Sequence, residues 1–251
     1  MAISVVINTY NAEKFLRRVL DSAKDFDEIV ICDMESTDST LDIAREYGCK
    51  IVTFPKGEYR IVEPARTFAI QSAGSEWVLV IDADELVTPE LRNYLYHHIR
   101  NKDCPKGLFI PRKNLFMGKF SHANFPDFQL RFFIRKGTVW PPYIHRVPVV
   151  QGNVEKLPRK KSLALIHLAD DSMKTIIKKT DLYSDNEVEK KMDKGYGYGA
   201  LIYRPTFRFF KSFILKGGFR DGVEGFICAG FEAFYQFIIV SKMIEYKKNR
   251  Q

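Results

Sequence analysis

The apolar run ISVVIN at residues 3–8 is followed by NTYNAEKF, and no glycine stands in that turn. A Rossmann dinucleotide site needs G-x-G-x-x-G there, and a P-loop needs its own glycines and lysine. Neither motif is present, so a pyrophosphate is not held on a glycine-rich helix start. Cysteine is scarce: Cys32, Cys49, Cys104 and Cys228 form no C-x-x-C pair. That argues against metal or disulfide use and predicts buried free thiols in a reducing cytoplasm. No basic n-region or cleavage site opens the chain, so the protein is expected to stay where it is made. Repeats, low-complexity tracts and recognisable RNA or DNA modules are also missing, and no nucleic acid is expected as a partner. The longest apolar-dominated stretch, 225–240, is interrupted by Glu232 and Gln236. It falls short of the roughly 20 residues of a membrane-spanning helix.

What is present is an alternation of short apolar runs and helical patterns. The chain has 251 residues and is 45% hydrophobic, enough for a substantial core. ISVVIN (3–8), EIVICD (28–33), KIVTF (50–54) and WVLVID (77–82) are short and β-branched, as strands buried on both faces are. Between them, residues 12–24, 39–47 and 65–73 carry apolar residues at helical spacing, and Thr88-Pro89 caps a further helix to about Arg100. The order predicts an α/β fold with a doubly wound, mostly parallel sheet flanked by helices. Ligands of such sheets bind at the carboxyl ends of the strands. Residues 105–170, rich in aromatics and proline, read as an antiparallel extension, and 170–200 as polar and helical.

Residues 78–86 read VLVIDADEL. A buried strand that ends in three acids needs positive charge, because adjacent carboxylates repel and are costly to desolvate. One reading is a polar strand end in which Glu85 and Thr88 help the next helix begin. The other is a hard divalent cation, Mg²⁺ or Mn²⁺, held by Asp82 and Asp84 and completed by phosphates and water.

The stretches SVVINTYN, DEIVICDMESTDSTLDIA and EPARTFAIQSAGSEWVLVIDADE resemble the family 2 glycosyltransferases of GT-A fold. More narrowly they resemble bacterial lipopolysaccharide-core glucosyltransferases, and the likeness continues through FPDFQLRFF, YIHRV, LIHL and RFFKSFILKGGFRDGVEGF. The resemblance implies a nucleotide-sugar site. Thr9 and Tyr10 lie where the base and ribose are held, Glu13 near the ribose, and Asp33 at the uracil edge. Arg66 lies near the diphosphate, and Asp82 and Asp84 form the D-x-D pair, with Asp84 the direct metal ligand. Asp127 is the general-base candidate, followed by Arg131, which is assigned to donor binding. His145 and His167 are possible diphosphate or metal contacts. Close relatives commonly read His-Glu where this chain has His145-Arg146.

The charge of the chain is uneven. Residues 1–155 hold 20 basic and 20 acidic side chains, while 156–251 hold 19 and 11. Two amphipathic helices broken at Gly217-Gly218 are expected over 204–248. Arg204, Arg208, Lys211, Lys216, Arg220 and Lys242 would turn towards anionic headgroups. The domain reading is a GT-A body over 1–200, with a nucleotide-sugar half (1–104) and an acceptor half (105–200), and a basic helical, membrane-proximal tail over 201–251. The functional reading is metal-assisted, inverting transfer of a sugar from a UDP-sugar to a glycolipid or core oligosaccharide. The enzyme would sit peripherally on the inner face of the cytoplasmic membrane. The alternatives are a sugar-1-phosphate nucleotidyltransferase and a catalytically silent membrane-binding protein.

Overall fold

A computed structural model describes residues 1–59, 61–143, 146–168, 173–189 and 196–248. The chain divides into two compact units: Met1–Lys113 with Pro126–Leu168, and Asn114–Phe125 with Ala169–Gln251.

In the first unit, β1 (Ile3–Thr9), β2 (Glu28–Asp33), β3 (Lys50–Thr53) and β4 (Trp77–Asp82) form a parallel sheet in the order β3-β2-β1-β4. Helices α1 (Glu13–Ala23), α2 (Thr40–Glu46) and α3 (Glu63–Gln71) connect them, and α4 (Pro89–Ile99) follows. All seven residues of β1 are buried. Val5 and Ile7 enter the core cluster that contains Leu16 and Leu20 of α1, whereas Val6 enters the one with Ala65 and Ala69 of α3. Period-two alternation with both faces covered is what makes the run uniformly apolar. Thr88 starts α4 by accepting from Leu91 N–H at 3.2 Å, with Pro89 in the first turn.

The sheet continues through β5 (Glu85–Leu86), β6 (Gly107–Phe116), β8 (Asp127–Ile134), β9 (Val154–Lys156) and β10 (Leu165–His167). β8 is antiparallel to both β4 and β6, and β10 is antiparallel to β5. The extension expected from residue 105 onwards is therefore present, and it returns two strands to the rim where β4 ends. Cys32, Cys49 and Cys104 are free thiols, and burial pushes the Cys32 thiol up to about 12 and that of Cys49 to about 11.

The second unit contains β7 (Lys119–Phe120), which pairs with the end of β6, and helices α5 (Met173–Glu189), α6 (Ala200–Phe210) and α7 (Gly222–Lys248). Between α6 and α7 the chain makes a π-helical turn over Lys211–Leu215 and a 3₁₀ turn over Gly218–Asp221. The break falls at Gly217, whose φ of 77° lies in the left-handed region. Two expectations for this region need correction. Gly218–Lys248, at 31 residues, is long and apolar enough to cross a membrane by length and composition, so the apolar segment is not too short. Its polar interruptions are satisfied from α6: Arg208 pairs with Glu232, and Arg204 Nη2 donates to Gln236 Oε1 at 3.1 Å. Those arginines therefore face α7 and not headgroups. Lys242 likewise donates to Asp181 and Asp185 of α5, each at 2.7 Å.

Candidate active site

Strand register alone assembles the rim of the first unit. Asn8 lies opposite both Cys32 and Asp82, and Thr9 opposite Asp33. β1 then turns sharply at Asn11, whose φ of 49° a short amide side chain tolerates. The turn is stitched to the β2–α2 loop: Asn11 Oδ1 accepts from Thr37 N–H at 2.8 Å, and Asn11 N–H donates to Ser36 Oγ at 2.9 Å.

The acids after β4 meet three arginines brought by different elements. Arg66 of α3 donates from Nη2 to Asp82 Oδ1 at 2.7 Å. Arg131 of β8 pairs with Asp82 Oδ2 and reaches Glu85 Oε1 at 3.3 Å. Arg112 of β6 reaches Glu85 Oε1 at 3.2 Å and grips Asp127 Oδ2 from Nε at 2.9 Å and Nη2 at 2.7 Å. Glu85 is fully buried, and its Oε2 accepts from the Asp82 backbone N–H at 2.9 Å. Burial would raise the Asp82 carboxyl, but the charges of Arg131 and Arg66 outweigh it and hold the group well below the usual carboxylate range. Burial likewise works against the Arg131 charge, and Asp82 with Glu85 reverses that, so its pKa is raised.

Asp84 is different. Among the described residues it is the one carboxylate of Asp82, Asp84, Glu85 and Asp127 with no arginine within salt-bridge distance. The imidazole of His167 stands beside it, with Nε2 3.4 Å from Oδ2. β10 holds His167 there by pairing it with Glu85, and Leu168 N–H donates to the Asp84 carbonyl at 2.8 Å. A cavity of about 520 Å³ opens at this point, lined by Asn8, Tyr10, Asn11, Ala12, Lys14, Phe15, Val62, Arg66, Asp82, Ala83, Asp84 and His167. Two of these residues have unspent hydrogen-bonding capacity. Among the described residues neither Oδ1 nor Nδ2 of Asn8 has a hydrogen-bond partner, nor have Nε and Nη1 of Arg66. Buried polar atoms left unpaired at a cavity wall suit a polar ligand.

The donor set fits a hard divalent cation. The Asp84 side chain is 34% exposed and lies next to an imidazole nitrogen. Among the described residues no cluster of three or more His, Cys, Asp or Glu side chains surrounds it. Mg²⁺ ordinarily takes one or two protein ligands and leaves the rest of its sphere to phosphate and water.

The cavity thus gathers Tyr10, Arg66, Asp82, Asp84 and His167 from the sequence-based candidates. Arg131 stands behind Asp82, 4% exposed. Thr9 and Asp33 lie beneath the rim. Asp33 is 1% exposed and accepts from Thr9 Oγ1 at 2.8 Å, Ser36 N–H at 2.8 Å and Ser36 Oγ at 2.6 Å. Glu13 accepts from Ser39 N–H at 3.0 Å, at the start of α2. Asp127 begins β8 and also accepts from Gln129 Nε2 at 2.8 Å. His145 lies outside the described residues, and Arg146 is exposed. Sequence reasoning did not single out Asn8's side chain, Arg112 or Trp140. Trp140 forms a floor under both donor-side arginines, with its ring centroid 4.5 Å from Arg66 Cζ and 5.7 Å from Arg131 Cζ.

Comparison with known proteins gives this rim a context. The model of the family described as "Glycosyl transferase family 2" matches residues 4–146, more than half of the chain. An uncharacterized glycosyltransferase of Rickettsia typhi is 27% identical over 256 residues, covering 97% of this chain and 87% of its own. The lipopolysaccharide core biosynthesis glycosyltransferase LpsC of Rhizobium meliloti is 26% identical over 254 residues, covering 98% and 93%. A crystal structure of S. aureus TarS 1–349 superposes with a TM-score of 0.50 at 17% identity, covering 100% of this chain and 92% of that one, a likeness of fold.

Proposed function

We infer the reaction from one premise: this chain belongs to glycosyl transferase family 2. It is a glycosyltransferase, and its α/β body has the GT-A architecture. We propose that it transfers a hexose from a UDP-sugar, with inversion, to a hydroxyl of a glycolipid or lipopolysaccharide-core oligosaccharide at the cytoplasmic face of a membrane. The observation that carries the donor site is Asp84, the carboxylate at the ligand edge of the sheet with no arginine within salt-bridge distance among the described residues. The UDP assignment rests on the motif resemblance, and the acceptor class also on the whole-length likeness to LpsC.

In this reading Asp84 and His167 hold Mg²⁺ or Mn²⁺. Bound there, the cation supplies positive charge for the departing diphosphate. Arg66, anchored to Asp82 by one nitrogen, keeps Nε and Nη1 for the donor's phosphate oxygens. Asn8 offers an amide to the ribose or phosphate. Tyr10, 43% exposed, supplies an aromatic wall for the base, and Thr9, Asp33 and Glu13 fix the loops that carry it. Asp127, oriented by Arg112 and Gln129, takes the proton of the acceptor hydroxyl. As that oxygen bonds to the anomeric carbon, the bond from the anomeric carbon to the phosphate oxygen breaks, and UDP leaves.

The test is isothermal titration with UDP, GDP and CMP, each with and without Mn²⁺, on the wild type and Asp84→Ala. Metal-dependent UDP binding that Asp84→Ala abolishes is expected. Binding that ignores both the metal and Asp84 would sink the donor site proposed here.

A further inference from the structure

The connection between α6 and α7 carries large apolar side chains that no described residue of the second unit covers. Phe207, Phe210, Ile214, Leu215, Phe219 and Val223 are each between 51% and 76% exposed. They fall within 17 consecutive residues, across the end of α6, the π turn, the 3₁₀ turn and the first residues of α7. So many large apolar side chains exposed within one short segment mark an interaction surface.

Charge identifies that partner. The acids of this segment already have partners: Asp221 contacts His122 Nδ1 and also accepts its backbone N–H at 2.8 Å, and Glu224 pairs with Lys119 at 2.6 Å. Of the six basic residues expected to face headgroups, Arg204, Arg208 and Lys242 are spent inside the unit. Lys211, Lys216 and Arg220 have no carboxylate within salt-bridge distance among the described residues, and they alternate with the exposed apolar side chains. Bulky apolar groups interleaved with uncompensated cations match an anionic lipid interface, which takes the first into its acyl boundary and the second among its headgroups.

The segment is also held in shape. A Cβ on Gly218 would stand 2.9 Å from the Ser212 carbonyl oxygen, and one on Gly225 would stand 1.9 Å from that of Gly218. The turn and the start of α7 thus touch through backbone, with no room for side chains. Insertion would cost little ordering, because the wedge is preformed.

We propose that residues 207–223 form a rigid wedge that enters the interfacial layer of an anionic membrane, with Leu215 and Phe219 at its apolar tip and Lys211, Lys216 and Arg220 as its basic collar. The proposal places α7 outside the bilayer core, although its length would let it span. It adds the mode of attachment to a membrane-facing transferase and does not depend on the donor site.

The experiment is co-sedimentation of the full chain with vesicles of phosphatidylcholine alone and of phosphatidylcholine mixed with phosphatidylglycerol, without nucleotide or metal. Binding to the anionic vesicles, weakened by salt, is expected. The Leu215→Ser/Phe219→Ser variant should lose about tenfold or more in affinity. The Lys211→Gln/Lys216→Gln/Arg220→Gln variant should lose about fivefold per charge, only on the anionic vesicles. Leu215, Lys216, Phe219 and Arg220 are exposed, and half-buried Lys211 touches only the exposed Phe207 ring, 5.9 Å from its Nζ, so the melting temperature should hold. The charge variant keeps the test decisive should the serine pair perturb the fold. Equal binding to both vesicle types, or variants that bind as the wild type does, would overturn the wedge. So would retention of the chain in cell membranes after alkaline carbonate extraction, which would make α7 a spanning helix. A vesicle result of either kind leaves metal-dependent UDP binding to be judged by its own titration.

Discussion

Arg66 sits over the Trp140 ring, its Cζ 4.5 Å from the centroid, while its Nη2 holds Asp82 at 2.7 Å. One guanidinium is thus fixed on two sides, and its remaining nitrogens, Nε and Nη1, have no hydrogen-bond partner among the described residues. The indole supplies a π face and the carboxylate a charge. Trp140→Leu keeps apolar bulk and removes the π face. The expected result is a fall of about fivefold in nucleotide affinity, in line with a partly desolvated cation–π contact. Trp140→Phe should recover part of it in the same titration.

The two aspartates of the D-x-D pair should part company on mutation. Asp84 has no arginine within salt-bridge distance among the described residues, and Asp84→Ala is expected to leave urea stability nearly unchanged while removing metal-dependent nucleotide binding. Asp82 joins Arg66 to Arg131, so Asp82→Ala leaves two buried guanidiniums without it. Breaking such a pair from one side costs about 3 kcal/mol or more. Urea midpoints on both variants check this. Equal stability losses would remove the distinction.

Acid should act through Asp82. Its carboxyl is depressed on folding: burial alone would raise it, and Arg131 and Arg66 reverse the effect. A group depressed in the folded state stabilises the fold above its unfolded value, about 3.9, and the contribution is lost as pH falls towards the folded value. Urea midpoints should therefore decline below about pH 4. In Arg131→Met the midpoint should be lower at neutral pH and should fall less on acidification, because Asp82 no longer prefers the ionised state as strongly.

The strands and helices of the first hundred residues were legible because each carries its own signal: β-branched runs for the sheet, apolar spacing for the helices, Thr88-Pro89 for a start. The acids at the end of β4 were legible as a problem in charge. Their solution was only half legible, because Arg112 and Trp140 reach the rim from β6 and from the loop after β8, in pairings that no local pattern encodes. Asp33 shows the converse. A carboxylate at a strand end reads as a ligand, but here its oxygens also serve Thr9 and Ser36. In α7, Glu232 and Gln236 read as interruptions only until the arginines of α6 that satisfy them are in place.

Gly225 tests the preformed turn. A methyl group there meets the Gly218 carbonyl oxygen at 1.9 Å, backbone that cannot step aside without opening the turn. Gly225→Ala should lower the melting temperature and weaken vesicle binding together. Gly230→Ala, on the same helix with open space at its Cβ, should change neither.

Asp127 is where chemistry and structure must be separated. Arg112 grips one of its oxygens and Gln129 donates to the other. If the carboxylate served only to hold Arg112, an amide would lower stability and affect all kinetic constants through the fold. If it takes the acceptor proton, Asp127→Asn should lower kcat by about 10²- to 10⁴-fold with the donor KM nearly unchanged. The same variant should bind UDP as the wild type does, since Asp127 does not line the donor cavity. Arg112→Lys, which keeps a cation near Asp127 and Glu85 but loses the paired grip, should fall between the two in kcat. A kcat for Asp127→Asn within about threefold of wild type would move the base elsewhere in the acceptor half.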